Sequence, residues 1–148
     1  MGFLDKLKSF ASGTGLGAEF AKIRDRAAVN ATLAAIALVA GADGDIEPAE
    51  RKAGADFVRK GDLFQSFDRE QLATTLEGYY SKATNEIAKQ DLFDAIGKVK
   101  GTDYARSVVK IGIGIAGADG EFEPQEKEIL REVCLTLGLN PVDFKGLA

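Results

Sequence analysis

Three observations predict an all-α fold, one compact helical domain over residues 1–148 with two related helical pairs joined by a central helical connector. First, an acidic segment occurs twice, as Ala40-Gly-Ala-Asp-Gly-Asp-Ile-Glu-Pro-Ala-Glu50-Arg51 and Ala116-Gly-Ala-Asp-Gly-Glu-Phe-Glu-Pro-Gln-Glu126-Lys127, 76 positions apart (119 − 43). Extended to Ala53 and Ile129, eight of the fourteen aligned positions are identical, which marks an internal repeat. Second, apolar residues recur at helical spacing, and no two-residue hairpin signal separates alternating runs. Third, two of the three prolines, Pro48 and Pro124, follow the two acidic copies. Proline suits the first helical position, where its missing N–H costs nothing.

The elements follow in order. Phe3, Leu4, Leu7, Phe10 and Ala11 share one helical face, with Asp5, Lys6, Lys8 and Ser9 opposite, before Gly13-Thr-Gly-Leu-Gly17 breaks the chain. Residues 1–17 therefore read as an amphipathic helix and a glycine-rich break. The face packs on its own domain or makes a reversible contact with an anionic membrane surface through residues 3–11. From Ala18 to Ala42 the chain is rich in alanine and apolar nearly all round, as a central core helix requires. A helix from Pro48 to Lys60 follows, stopped by Gly61. Further helices are predicted at Arg69–Ser81 and Ala83–Val99, capped by Asp68 and Thr84. Tyr104–Ala118 repeats the core helix, Pro124–Leu137 repeats its partner and ends at Gly138, and Asn140 caps a short last helix from Pro141. The repeat units span residues 27–61 and 103–138.

Composition narrows the function. The net charge of −4 and pI of about 5.0 argue against a duplex nucleic-acid binder, which needs a basic face. With one cysteine, Cys134, and no histidine, thiolate zinc sites, His-dependent triads and Cys–His nucleophiles are excluded. Any metal must be a hard, oxygen-liking one. Cys134 stands among apolar residues, so burial is expected rather than redox chemistry. Tyr79, Tyr80 and Tyr104 read as packing residues. The N-terminus lacks the apolar stretch of a signal peptide, Lys6 stands where a myristoylation signal needs Ser or Thr, and no run reaches membrane-spanning length, so a cytoplasmic protein is expected.

Two motifs mislead. Gly112-Ile-Gly-Ile-Ala-Gly117 matches the dinucleotide fingerprint, but Ala118-Asp-Gly follows where the phosphate-binding helix should begin. Its aligned copy, Ile36-Ala-Leu-Val-Ala-Gly41, lacks two of the glycines, so small residues permitting close approach of the two central helices explain it better. Asp43-Gly-Asp-Ile-Glu opens like a calcium-binding EF-hand loop. However, Pro48 replaces the turn glycine and Gly54 the bidentate glutamate, and Pro124 and Leu130 break the second copy likewise.

The acidic copies have a structural reading and a functional one. Pro48 at the first helical position makes Glu47 the cap and Glu50 the residue that reaches back to it, and Glu123, Pro124 and Glu126 repeat this. Asp43-Gly44 and Asp119-Gly120 are turns. Yet glutamate is a poor cap, and half of the sixteen residues in 43–50 and 119–126 are acidic, against 23 of 148 overall. Two carboxylates 4 Å apart repel by about 4 kcal/mol at an effective dielectric near 20. A divalent cation reverses that sign. Asp43, Glu50, Asp119 and Glu126 are the expected metal ligands, with the two helix starts facing each other, and Asp45, Glu47, Glu121 and Glu123 are auxiliary acids. Calcium fits best, and magnesium or manganese would keep more water.

On these residues, with Met1-Gly-Phe-Leu-Asp-Lys-Leu-Lys and Leu137-Gly-Leu-Asn-Pro-Val-Asp-Phe144, the chain resembles the TerB family of tellurite-resistance proteins. The resemblance implies an all-helical fold with internal two-fold symmetry, an acidic metal-binding face and a bacterial role in resistance to tellurite and related stresses. It also implies TerD-type protein partners in complexes at the inner membrane. It carries no defined catalytic reaction. A non-enzymatic metal-binding interaction protein is therefore expected. The alternatives are a metal-independent acidic scaffold for a basic partner and a metal-dependent phosphoester hydrolase. The hydrolase lacks cationic phosphate-holding residues in the segments beyond Arg51 and Lys127.

Overall fold

The computed structural model describes residues 23–60, 67–118, 120 and 122–147. The N-terminal face at residues 3–11, Gly61, Asp119 and Glu121 lie outside the described residues.

Among the described residues the chain is helical, with no strand: α1 (Arg26–Ala40), α2 (Pro48–Lys60), α3 (Arg69–Ala83), α4 (Lys89–Gly97), α5 (Tyr104–Ala116), α6 (Pro124–Thr136) and a 3-10 turn at Pro141–Asp143. The all-α prediction holds.

α1 is the centre. Its residues from Ala31 to Ala40 are all buried, and α3, α4, α5 and α6 pack around it. Alanines at 28, 31, 34, 35, 37 and 40 let those neighbours approach, while Leu33, Ile36 and Leu38 fill the gaps. Each fully buried Leu or Ile contributes about 1.5–3 kcal/mol. Thr32, the polar residue in this run, donates its hydroxyl to the Ala28 carbonyl at 2.8 Å, so its burial leaves no unmet group. The helical run expected from Ala18 starts, among the described residues, only at Arg26. Asp25 is extended and its carboxylate accepts from the Ala27 N–H, which makes it the cap.

α3 runs beside α1 in the same direction. Arg26 at the start of α1 stacks over Phe67, just before α3, while Gly41 past the end of α1 lies against Ala83 at the end of α3. Asp68 caps α3 as predicted, accepting from the N–H groups of Glu70 and Gln71. The next element departs from expectation. Ala83 closes α3, Thr84 follows as its C-cap, and α4 begins only at Lys89. Asn85 causes the break by accepting from the N–H groups of Ile87 and Ala88 at 2.9 Å each, which fixes a turn. α2 packs on α3, whereas α6 packs on α1, α4, α5 and the 3-10 turn. The two pairs α1–α2 and α5–α6 thus share local structure in different surroundings.

Candidate functional site

The described residues of the two acidic segments repeat the same backbone hydrogen bonds. After α1, Gly41 N–H donates to Ala37 O (3.0 Å), Ala42 to Val39 (3.3 Å) and Gly44 to Gly41 (2.9 Å). After α5, Gly117 donates to Ile113 (2.9 Å), Ala118 to Ile115 (3.2 Å) and Gly120 to Gly117 (3.0 Å). Each acceptor and donor is displaced by the repeat offset. Gly44 and Gly120 take positive φ, 95° and 84°, a conformation that a side chain would strain. The turn reading of Asp43-Gly44 is therefore correct, while Asp119 of the second pair lies outside the described residues.

The helix starts match too. Glu50 accepts from the Glu47 N–H at 2.9 Å, and Glu126 accepts from the Glu123 N–H at 3.0 Å. Both glutamates hold their helix ends by reaching back to the cap residue, and their carboxylates sit at the favourable pole of the helix dipole. Asp43 Oδ1 accepts from the Asp45 N–H at 3.1 Å and tightens the first turn.

Burial separates the copies. Asp43, Asp45 and Glu47 are exposed, Ile46 points inward, and Glu50 is half-buried. In the second copy Glu123 is half-buried and Glu126 is only 4% exposed. The surroundings differ accordingly. Arg51 fixes the first copy to α3, donating to Ser81 Oγ at 2.6 Å and lying 3.6 Å from the Glu77 carboxylate. Lys127, its counterpart, instead covers the Phe122 ring at 5.5 Å. That ring also meets the C-terminal segment, since a Cβ at Gly146 would lie 3.1 Å from it. Phe144 and Leu147 bury beside α5 and α6, held by Arg106 stacked on Phe144 at 4.9 Å and by an Arg131 bond to the Leu147 carbonyl at 3.0 Å.

Of the expected metal ligands, Asp43, Glu50 and Glu126 are described. The donors are hard oxygens, which suits calcium or magnesium. The described residues nevertheless contain no group of three or more acidic or cysteine side chains placed to hold a metal ion. Asp43, Asp45 and Glu47 have no cationic partner among the described residues either: the ion pair of this region runs from Arg51 to Glu77.

Tyr80 packs, as the sequence suggested, but neither its partner Gly54 nor the Arg51–Ser81 bond, which tie the first acidic copy to α3, was foreseen. Tyr80 is 1% exposed, and burial, with Glu77 and Glu50 nearby, pushes its phenol well above the usual range. Gly54 in mid-helix was the available signal, because a helical glycine with no turn to make asks for a bulky neighbour. The close-approach reading of Gly112 is right in kind but not in partner. The residue that needs the room is Leu130 on α6, whose Cδ2 would be 2.7 Å from a Cβ at Gly112. Cys134 is fully buried and its thiol is pushed up to about 11 by burial, as its apolar context predicted.

No described helix is long and apolar enough to cross a membrane. No curated protein and no solved structure matches the chain significantly. The family model described as Tellurite resistance protein TerB matches residues 29–148, which take in both acidic segments and the described helices from Val29 of α1 onward. On that match the chain belongs to the TerB family, and its role is related to tellurite resistance.

Proposed function

We propose that the protein is a non-catalytic interaction module of a tellurite-resistance system, and that its acidic turns take up a hard divalent cation, calcium ahead of magnesium or manganese. One observation carries this reading. Asp43, Asp45 and Glu47 are exposed together on a preformed turn and have no cationic partner among the described residues. Drawing carboxylates from these turns around one point would cost repulsion that a cation would offset. Asp43 and Glu50 are the first-copy donors in this reading and Asp119 and Glu126 their counterparts by sequence, with Asp45, Glu47, Glu121 and Glu123 auxiliary. TerD-type partners and contact with the inner membrane follow from the family resemblance alone.

The test is metal-titrated melting. Calcium at a hundredfold excess over Kd should stabilise the protein by about 2.7 kcal/mol. Asp43→Asn with Asp119→Asn should remove that shift without lowering the metal-free melting temperature. No shift with calcium, magnesium or manganese would end the metal reading.

The second reading is a metal-independent acidic surface for a basic protein partner. It is favoured by the lack, among the described residues, of three carboxylates placed around a common point. Partner capture that survives chelation would select it over the first.

A further inference from the structure

Away from both acidic turns, a groove of about 420 Å³ lies between α4 and α6, lined by Glu86, Lys89, Gln90, Phe93, Glu132, Leu135 and Thr136. Leu135 is 67% exposed at its edge, and Ile87, next to Glu86 in the α3–α4 turn, is 88% exposed. Together with Val142 they are the exposed large hydrophobic residues among those described. Large exposed aliphatic residues beside a concavity mark an interaction surface more often than scattered ones do.

Charge decides what fits there. The Glu86 side chain is 91% exposed, and Lys89, only 23% exposed, is turned back onto it at 3.4 Å. Glu132 has no ion-pair partner among the described residues, and the groove is therefore net negative. We propose that this groove docks a partner protein's cationic amphipathic helix, one that places an apolar side chain on Leu135 and Phe93 and lysine or arginine beside Glu132 and Glu86. An anionic membrane would be repelled by the same rim. The proposal is independent of the metal reading, since none of these residues belongs to the turns.

The probe is a synthetic amphipathic helix of leucine and lysine, titrated into the full chain and followed by NMR shifts and calorimetry. The groove residues Phe93, Leu135 and Thr136 should shift. Leu135→Lys, at an exposed position that leaves folding intact, should weaken binding about tenfold, and Glu132→Lys should weaken it severalfold and flatten its salt dependence. Val142→Lys, outside the groove, should change neither, and a leucine–glutamate peptide should not bind. Equal binding by the parent and the Leu135→Lys variant, or shifts confined to the acidic turns, would overturn the proposal. So would a parent chain that sediments as a dimer and becomes monomeric on Leu135→Lys, because the occupant would then be a second copy.

Discussion

Gly54 on α2 stands where a Cβ atom would run into the phenolic oxygen of Tyr80 on α3 and lie 2.8 Å from its Cζ. Tyr80 is 1% exposed and has no room to retreat. The glycine is therefore a seat for the tyrosine, and it holds the helix that carries Glu50 and Arg51 close against α3.

Gly54→Ala should destabilise the fold by about 1–2 kcal/mol in urea unfolding. Overpacking a filled core costs about 1–3 kcal/mol, against a helix-propensity gain of at most about 1 kcal/mol. Gly78, on α3, has nothing within 4 Å of its Cβ direction and is exposed. Gly78→Ala should thus stabilise by up to about 1 kcal/mol. If both substitutions move stability the same way, the Tyr80 contact does not govern Gly54.

The two halves exchange large and small residues. Ile36 and Gly54 in the first correspond, by the 76-residue offset, to Gly112 and Leu130 in the second. Leu130 is fully buried and fills the space over Gly112. Leu130→Ala should cost about 2–5 kcal/mol. Adding Gly112→Ala puts a methyl group back into part of that void, so the double variant should be more stable than Leu130→Ala alone. Additive losses in the double-mutant cycle would contradict this packing.

Much of this could be read from the chain, for a local reason. Pro48 and Pro124 mark helix starts by their fixed backbone, Asp68 and Asn140 by bonds that span two or three residues, and each start falls where these residues place it. The late start of α4, at Lys89 rather than Ala83, was hidden because Thr84-Asn-Glu-Ile-Ala contains neither glycine nor proline, and Asn85 makes its turn with a side chain that could equally have faced solvent. The candidate site divides the same way. The capping role of Glu50 and Glu126 is local and was legible. The unequal burial of the two turns was not, since it depends on α3 on one side and on Phe144 to Leu147 on the other, far off in sequence.

Arg51 and Lys127 occupy equivalent positions and should tolerate exchange unequally. Arg51 uses its planar guanidinium for two neighbours at once, Ser81 and Glu77, which an ammonium cannot copy. Arg51→Lys should cost about 1 kcal/mol. Among the described residues Lys127 has the Phe122 ring as its partner, which arginine covers at least as well, and Lys127→Arg should be neutral within about 0.5 kcal/mol. Thermal unfolding of the two variants side by side checks the asymmetry.

Cys134 gives a pH signature with a defined sign. Burial raises its thiol from an ordinary 9.0 to about 11 in the folded chain. The folded state therefore holds the proton more tightly than the unfolded one. The stability this contributes is fully present below pH 9 and is lost as pH rises from 9 towards 11. Tyr80 is displaced in the same direction, but from an ordinary 10.0, so its loss begins a full pH unit later. Between pH 9 and 10 the thiol contributes the largest share, ahead of Tyr80 and of Tyr79, whose phenol is also raised by burial, and its own part of the fall should be about 1 kcal/mol, since each unit of pKa displacement corresponds to about 1.4 kcal/mol. Cys134→Ala should be less stable than the parent at pH 7, because it opens a void. It should also lose most of the decline between pH 9 and 10. A matching kinetic result is expected at pH 8, where a thiol-directed reagent should modify the native chain only at the rate of unfolding. Rapid labelling of the folded protein would mean that Cys134 is accessible after all, and an unchanged alkaline slope in the variant would move the titration to another group.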